Sequence, residues 1–212
     1  MSQNIEYQDS DWVRTIFRVA WEPGTYLNLL YLLISLPLGI FYFVFLTTGF
    51  ALGLGLAIIW IGLPILLLMI LAVYGLTGFE RLLAIHLLAQ EVVPLREPLP
   101  QESAWQWLRG VLTTPATWKG LFFLLLKLPV GIVSFTMTVI LLSLSLAFVL
   151  APVLVLMGGV VDFGPWVADT LPEALLCTIL GFILLLVSLH VLNALAWLWG
   201  FMARALLGRS FT

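Results

Sequence analysis

Residues 23–43 read PGTYLNLLYLLISLPLGIFYF, and residues 115–135 read PATWKGLFFLLLKLPVGIVSF. Both stretches begin with Pro-x-Thr and an aromatic residue, continue through leucines and aromatics, and arrive at Leu-Pro-x-Gly-Ile. Each is long and apolar enough to form a membrane-crossing helix. A stretch that recurs within one chain indicates a duplicated structural unit. The sequence therefore predicts an all-α fold built from two tandem two-helix repeats.

The composition is that of an integral membrane protein. Hydrophobic residues make up 62% of the 212 residues and charged residues 9%, whereas soluble domains carry about 25% charged residues. A water-soluble fold cannot hide this much apolar surface. The net charge of −2 and the lack of a basic patch argue against nucleic acid as a partner. One cysteine, Cys177, cannot form an internal disulfide framework.

Four apolar stretches are long enough to cross a bilayer, which needs about 20 residues per helix. Thr47–Gly49 is predicted to turn the chain between the first two. A further apolar stretch, Ser143–Gly159, is short, and we expect it to be re-entrant or to pack near the outer face. The four predicted spans are Tyr26–Leu46, Ala51–Thr77, Lys119–Leu142 and Ala174–Trp199.

The basic residues give the spans a direction. All of the nine Lys and Arg residues except Lys127 flank spans on the side that holds both termini and the central linker. The loop Val160–Glu173, on the opposite side, contains three acidic residues and neither Lys nor Arg. Loops rich in Lys and Arg face the cytoplasm. The sequence therefore predicts a multi-pass protein with both termini in the cytoplasm.

The chain is predicted to form a single membrane domain over residues 1–212. Repeat one covers 12–91, a proline-rich linker covers 92–102, and repeat two covers 103–209. Stretches 11–20, 79–91 and 103–112 interleave aromatic or leucine residues with charged ones. This pattern is typical of helices that lie in the headgroup layer, so we expect cytoplasmic interfacial helices there.

Pro37 and Gly39, and their repeat counterparts Pro129 and Gly131, are the hinge candidates. A proline inside a helix lacks the N–H that would bond the carbonyl four residues earlier, and a glycine lets another helix come close. The functional interpretation is a paired hinge that moves with lipid or ligand. The alternative is a static bend that serves packing.

Lys127, His190, Asn193 and Ser35 are candidates for a buried polar cluster. An ionisable group deep in a membrane costs a few kcal/mol or more unless it is paired or hydrated. Such a cluster could sense protons or bind a headgroup or anion. The alternative is that Lys127 extends toward the lipid phosphates and that His190 bonds a backbone carbonyl.

Glu80 and Arg81 lie where the second predicted span leaves the membrane. They are candidates for a cytoplasmic joint that passes span motion onward, and the alternative is an interfacial ion pair with an anchoring role. No catalytic constellation, phosphate loop, dinucleotide fingerprint or metal-ligand spacing occurs. We therefore expect no catalytic residues, no metal, no cofactor and no enzymatic activity.

The order of several short motifs resembles one known family, with a match from about residue 13 to residue 208. The chain resembles the sensor-domain family of bacterial and archaeal membrane histidine kinases, in which the domain also occurs alone. The matching motifs include Leu36-Pro-Leu-Gly, Gly62-Leu-Pro, Glu80-Arg-Leu-Leu and Leu128-Pro-Val-Gly.

The resemblance implies a four-span module that feeds signal transduction in the inner membrane of a bacterium or archaeon. No phosphoacceptor or ATP-binding segment follows in the 212 residues, so we expect a stand-alone member of a two-component system. The predicted function is a non-enzymatic sensor that relays a membrane or extracytoplasmic stimulus to a separate signalling protein. The alternatives are an accessory subunit of a membrane complex or a lipid- or small-molecule-binding protein. Membrane lipids and a second copy of the chain are further expected partners.

Overall fold

A computed structural model describes residues 19–90, 110, 113–162 and 167–208. Long helices dominate it, and mean hydropathy identifies four helical segments that are long and apolar enough to cross a membrane. The predicted all-α membrane fold with four transmembrane helices is confirmed. In chain order the elements are α1 (Pro23–Gly55), a 3₁₀ helix (Leu56–Ile59), α2 (Gly62–Leu88), α3 (Pro115–Val149), α4 (Ala151–Leu156), β1 (Val161–Asp162), β2 (Val167–Ala168) and α5 (Leu171–Leu207).

The turn between the first two spans lies later than the sequence predicted. Helix α1 continues through Thr47–Gly49 to Gly55, and the chain reverses at Trp60, whose φ is 68°. Gly49 lies inside α1, and the side chain of Met69 from α2 packs against it. Pro64 falls in the first turn of α2, where a missing N–H costs no helical hydrogen bond. The expected turn at Thr47–Gly49 and the expected start of the second span at Ala51 were therefore wrong.

The segment 143–159 divides between two helices. Its first part completes α3, which ends at Val149, and its second part contains the six-residue helix α4. Six helical residues extend only about 9 Å, too short to cross a bilayer of about 30 Å. The chain then forms the antiparallel pair β1–β2, with Val161 opposite Ala168. The sequence did not predict this short hairpin.

Helix α5 begins with a side-chain cap from Glu173. The carboxylate of Glu173 accepts hydrogen bonds from the backbone N–H groups of Asp169, at 3.2 Å, and Thr170, at 3.3 Å. A carboxylate three residues into a helix commonly satisfies N–H groups at the helix start in this way. The cap explains why α5 begins at Leu171, three residues before the predicted span.

The chain divides into two compact units. Unit 1 comprises Met1–Leu29 and Thr136–Ala194, and unit 2 comprises Leu30–Phe135 and Leu195–Thr212. The core of unit 1 gathers small side chains around the hairpin: Ala151, Ala168, Ala174 and Cys177. The core of unit 2 gathers Tyr42, Leu46, Met69, Val73 and Leu124.

Three sequence-based expectations concern residues that the structure does not describe, or describes only in part. The interfacial helices over 11–20 and 103–112 and the linker over 92–102 lie almost wholly outside the described residues. The stretch 79–88 is described, and it is the end of α2, which runs without interruption from Gly62.

Candidate functional site: a buried ion pair beside a helix crossing

A buried ion pair joins α3 to α2 within unit 2. The ammonium of Lys127 donates a hydrogen bond to Oε2 of Glu80, and both side chains are fully buried. Lys127 lies 12 residues into α3, and Glu80 lies eight residues before the end of α2. Buried charges persist in apolar surroundings only when they are paired and hydrogen-bonded. An ionisable pair inside candidate membrane spans is therefore the strongest candidate for a functional site.

Aromatic side chains complete the surroundings of the ammonium. Nζ of Lys127 lies 4.6 Å from the ring centre of Tyr31, 5.5 Å from that of Trp199 and 6.0 Å from that of Tyr42. Nζ also donates to the hydroxyl of Tyr31 at 3.3 Å. The hydroxyl of Tyr42 donates to Oε1 of Glu80 at 2.7 Å. Both carboxylate oxygens and the ammonium therefore have partners, as a dry site requires.

We refer to Tyr31, Tyr42, Glu80 and Trp199 as the cage. Tyr31 and Tyr42 lie on α1, Glu80 on α2 and Trp199 on α5. The ring of Tyr31 meets that of Trp199 edge to face at 5.8 Å, and the indole N–H of Trp199 donates to Ser134 at 2.8 Å. Three helices supply the residues of the cage, and the fourth long helix, α3, supplies the lysine that fills it.

The two Pro-x-Gly motifs meet each other next to the ion pair. A side chain added at Gly39 would come within 2.8 Å of the Lys127 carbonyl oxygen and of the Leu128 Cα atom. One added at Gly131 would come within 2.9 Å of the Ser35 carbonyl oxygen. Each glycine thus admits the backbone of the other helix at residues that correspond in the two repeated stretches. The structure brings the four hinge candidates to one crossing of α1 and α3, and both helices run unbroken through Pro37 and Pro129.

The repeated stretches also bury the same face. At an offset of 92 residues, seven pairs of matched positions are buried in both α1 and α3, and five of these pairs lie within the repeated stretches. Trp199 contacts one such pair, since its ring meets both Tyr31 and Phe123 edge to face. The matched buried pairs are Tyr31 and Phe123, Leu32 and Leu124, Ser35 and Lys127, Gly39 and Gly131, Tyr42 and Ser134, Leu46 and Thr138, and Gly53 and Ser145.

Arg81, the neighbour of Glu80, reaches the end of the last long helix. Its Nε donates to the carbonyl of Leu207 at 3.1 Å, one of the last carbonyls of α5, which have no partner within the helix. Glu80 and Arg81 do not pair with each other, since each has its own partner on another helix: Lys127 on α3 and Leu207 on α5.

The other two members of the expected polar cluster have their own partners in unit 1. Nδ1 of His190 lies 2.8 Å from the Leu186 carbonyl, and the ring is exposed. Asn193 donates to the hydroxyl of Thr25 at 3.0 Å and accepts from Asn28 at 2.9 Å. In unit 2 the hydroxyl of Ser35 donates to the carbonyl of Leu32 at 2.6 Å. The ammonium of Lys127 contacts the residues of the cage and none of these three side chains.

Sequence reasoning missed the partner of Lys127. It placed Glu80 where the second span leaves the membrane, because it ended that span at Thr77. The signal was present: a lysine in an apolar helix needs a counter-charge, and Glu80 is the acid nearest to an apolar run. Among the described residues, no three His, Cys, Asp or Glu side chains come together as a metal site would need.

A comparison with known families fits this architecture. The family model described as "Sensor: Putative sensor" matches residues 31–207. The chain belongs to the Sensor family. This confirms the resemblance to a sensor domain, and the match includes all the residues of the cage. No curated protein and no solved structure matched the chain.

Membership of the Sensor family indicates a sensing role. Together with the all-helical fold, it favours a non-enzymatic protein. The four apolar helices indicate that this Sensor-family chain is a multi-pass membrane protein.

Proposed function

We propose that this chain is a membrane sensor that passes a membrane-borne or outer-face stimulus to a separate signalling protein in the cytoplasm. The observation that carries the proposal is the buried Lys127–Glu80 pair. The Lys127 end of this pair lies beside the α1–α3 crossing, and the Glu80 end lies next to Arg81. A sensor needs such a link between the part that is perturbed and the part that reports.

The coupling runs through direct contacts. The backbone of Lys127 lies against Gly39 at the crossing, while its side chain binds Glu80. Arg81 follows Glu80 on the same helix and holds the Leu207 carbonyl. A shift of α1 against α3 therefore displaces Lys127, and the ion pair transmits that displacement to α2 and to the end of α5.

The orientation of the chain completes the proposal. With both termini in the cytoplasm, the end of α5 is the natural output, and the loop Val160–Glu173 faces outward. The positive-inside distribution of Lys and Arg supports this direction. The membrane is then the inner membrane of a bacterium or archaeon, and the partner is a two-component signalling protein, as the resemblance implies. Lipids surround the exposed apolar faces, and a second copy of the chain is a further partner.

Electron spin resonance tests the proposal. Cysteines replace Ile85 on α2 and Phe201 on α5, both exposed, in a Cys177→Ala background, and each carries a spin label. The distance between the labels is measured in nanodiscs of different lipid length and charge, and again with a nanobody bound to the loop between α4 and α5. We expect at least one of these perturbations to shift the distance distribution.

The matched control is the same labelled pair in a Lys127→Met chain. If Lys127 carries the coupling, the shift disappears in this variant while the protein remains folded. A label distance that stays the same in every lipid and with the nanobody bound would contradict the proposed function. A shift that survives Lys127→Met would contradict the pathway through the ion pair.

A further inference from the structure

We propose that the cage is an ammonium-binding site, and that Lys127 occupies it as a tethered ligand that a free primary alkylammonium can displace. The role of such an amine as the stimulus rests on the proposed function, but the binding site itself does not. The inference starts from a simple contrast: the ammonium belongs to α3, whereas the cage that holds it belongs to the other three long helices.

The composition of the cage is suited to organic cations. Three aromatic rings lie within 6.0 Å of Nζ, and aromatic faces attract ammonium groups most strongly where water is absent. Glu80 supplies a carboxylate, and the hydroxyl of Tyr31 accepts a further hydrogen bond from the ammonium. A cation with N–H donors meets both requirements, which favours a primary ammonium over a quaternary one.

The cage is held by contacts that do not involve Lys127. Tyr42 donates to Glu80, Tyr31 packs on Trp199, and Trp199 donates to Ser134. A site that is organised before its ligand arrives loses little free energy in ordering on binding. Removal of the lysine side chain should therefore leave a site and not a collapsed core.

Lys127 itself indicates the shape of the ligand. Its side chain is a four-carbon stem with a terminal ammonium, so n-butylammonium reproduces it. The ammonium of an aminolipid headgroup has the same chemistry as that of a free lipophilic amine. Such a ligand in the cage would release Lys127, whose backbone lies at the α1–α3 crossing.

The first experiment uses purified Lys127→Ala in nanodiscs of phosphatidylcholine, a lipid without a primary amine. The probe is n-butylammonium chloride at constant ionic strength, and the readout is the thermal unfolding temperature. We expect a saturable rise of several degrees in Lys127→Ala and none in Lys127→Ala/Glu80→Gln. Equal concentrations of 1-butanol, which has the same shape but no charge, should have no such effect.

A second arm distinguishes the sources of the ammonium. Lys127→Ala is placed in nanodiscs that contain phosphatidylethanolamine, without added amine. A Glu80-dependent rise in unfolding temperature there assigns the site to a lipid headgroup. A rise with n-butylammonium alone assigns it to a free amine. No saturable response in either arm, or an equal response of the double variant, overturns the site.

The wild-type chain gives an independent test that does not depend on how Lys127→Ala folds. A membrane-permeant acylating reagent modifies lysines, and mass spectrometry gives the ratio of modification at buried Lys127 to that at exposed Lys119. Because Lys119 reports any consumption of reagent by the amine, the ratio isolates displacement. We expect n-butylammonium to raise the ratio several-fold, and an unchanged ratio overturns displacement.

The experiments distinguish failure of the amine-binding site from failure of the proposed sensor function. Amine binding, together with an Ile85–Phe201 label distance that stays the same in every lipid, with the nanobody and with the amine, would keep the site and contradict the sensor. A lipid- or nanobody-driven change in that distance, with no response to amine in either experiment, would keep the sensor and overturn the cage as a binding site.

Discussion

Lys127 holds the position in the second repeated stretch that Ser35 holds in the first, and both side chains are fully buried. The hydroxyl of Ser35 bonds the backbone of its own helix, which a serine in a membrane helix can always do. A backbone carbonyl of the same helix cannot satisfy a buried lysine in this way, because the ammonium carries a charge and three hydrogen-bond donors. Its stability therefore depends on Glu80 and Tyr31 from other helices.

Substitution of Lys127 by methionine should leave the Glu80 carboxylate buried without its counter-charge. We expect the free energy of unfolding to fall by about 3–5 kcal/mol, the usual cost of breaking a buried pair from one side. Lys127→Met/Glu80→Gln should recover most of this loss, because neither remaining group is charged. Tryptophan fluorescence during denaturation in mixed detergent micelles measures both.

Lys119→Met is the control for loss of a lysine, since Lys119 is exposed on the same helix. It should leave the free energy of unfolding unchanged within about 0.5 kcal/mol. Equal stabilities of Lys127→Met and the double variant would show that the carboxylate does not depend on the lysine.

At the scale of the helices, much of the architecture could be predicted from the sequence. The four long apolar stretches follow from hydropathy, which registers length and composition. The positions of the helix ends do not follow from hydropathy. The sequence placed a turn at Thr47–Gly49, but α1 continues through these residues, and the Met69 side chain of α2 packs against Gly49. The pairing of Lys127 with Glu80 was missed for a related reason, since it depends on which helices become neighbours.

The α1–α3 crossing predicts a sharp effect of single methyl groups. Gly39→Ala or Gly131→Ala would place a Cβ atom under 3.0 Å from backbone atoms of the opposite helix, which cannot move aside as a flexible side chain can. We expect each variant to lose about 1–3 kcal/mol of unfolding free energy, as overpacking typically costs. The measurement is again denaturation in mixed micelles.

Gly75→Ala is the matched control, because nothing lies within 4 Å of the added Cβ atom. This variant should be neutral or stabilising by up to about 1 kcal/mol, since alanine is the better helix former. Stabilities of Gly39→Ala and Gly131→Ala that match Gly75→Ala would contradict the close crossing.

The contact between Arg81 and the end of α5 makes a local prediction. Arg81→Gln removes the hydrogen bond to the Leu207 carbonyl, and a hydrogen bond of this kind contributes about 1 kcal/mol. We expect hydrogen exchange of the amides in the last turn of α5 to become roughly fivefold faster. Arg204→Gln removes a charge from an exposed position in the same turn and should change exchange less. Equal effects of the two variants would argue that charge alone matters.

At the scale of the whole molecule, orientation in the membrane is a prediction from the distribution of Lys and Arg. In a Cys177→Ala background, a cysteine at Asp169 should react with an impermeant maleimide in intact cells. A cysteine at Thr212 should react only after the membrane is permeabilised. Labelling of Thr212 from outside intact cells, or protection of Asp169, would reverse or break the predicted topology.

The reciprocal packing of the two Pro-x-Gly motifs has a consequence for charge. In a symmetric pair of identical chains, a lysine at this crossing would appear twice, and each ammonium ion would need a buried carboxylate of its own. When one polypeptide carries both halves, one copy can hold the cation while the other keeps a neutral hydroxyl. Because α1 and α3 belong to one chain, a single Lys127–Glu80 pair beside their crossing is sufficient.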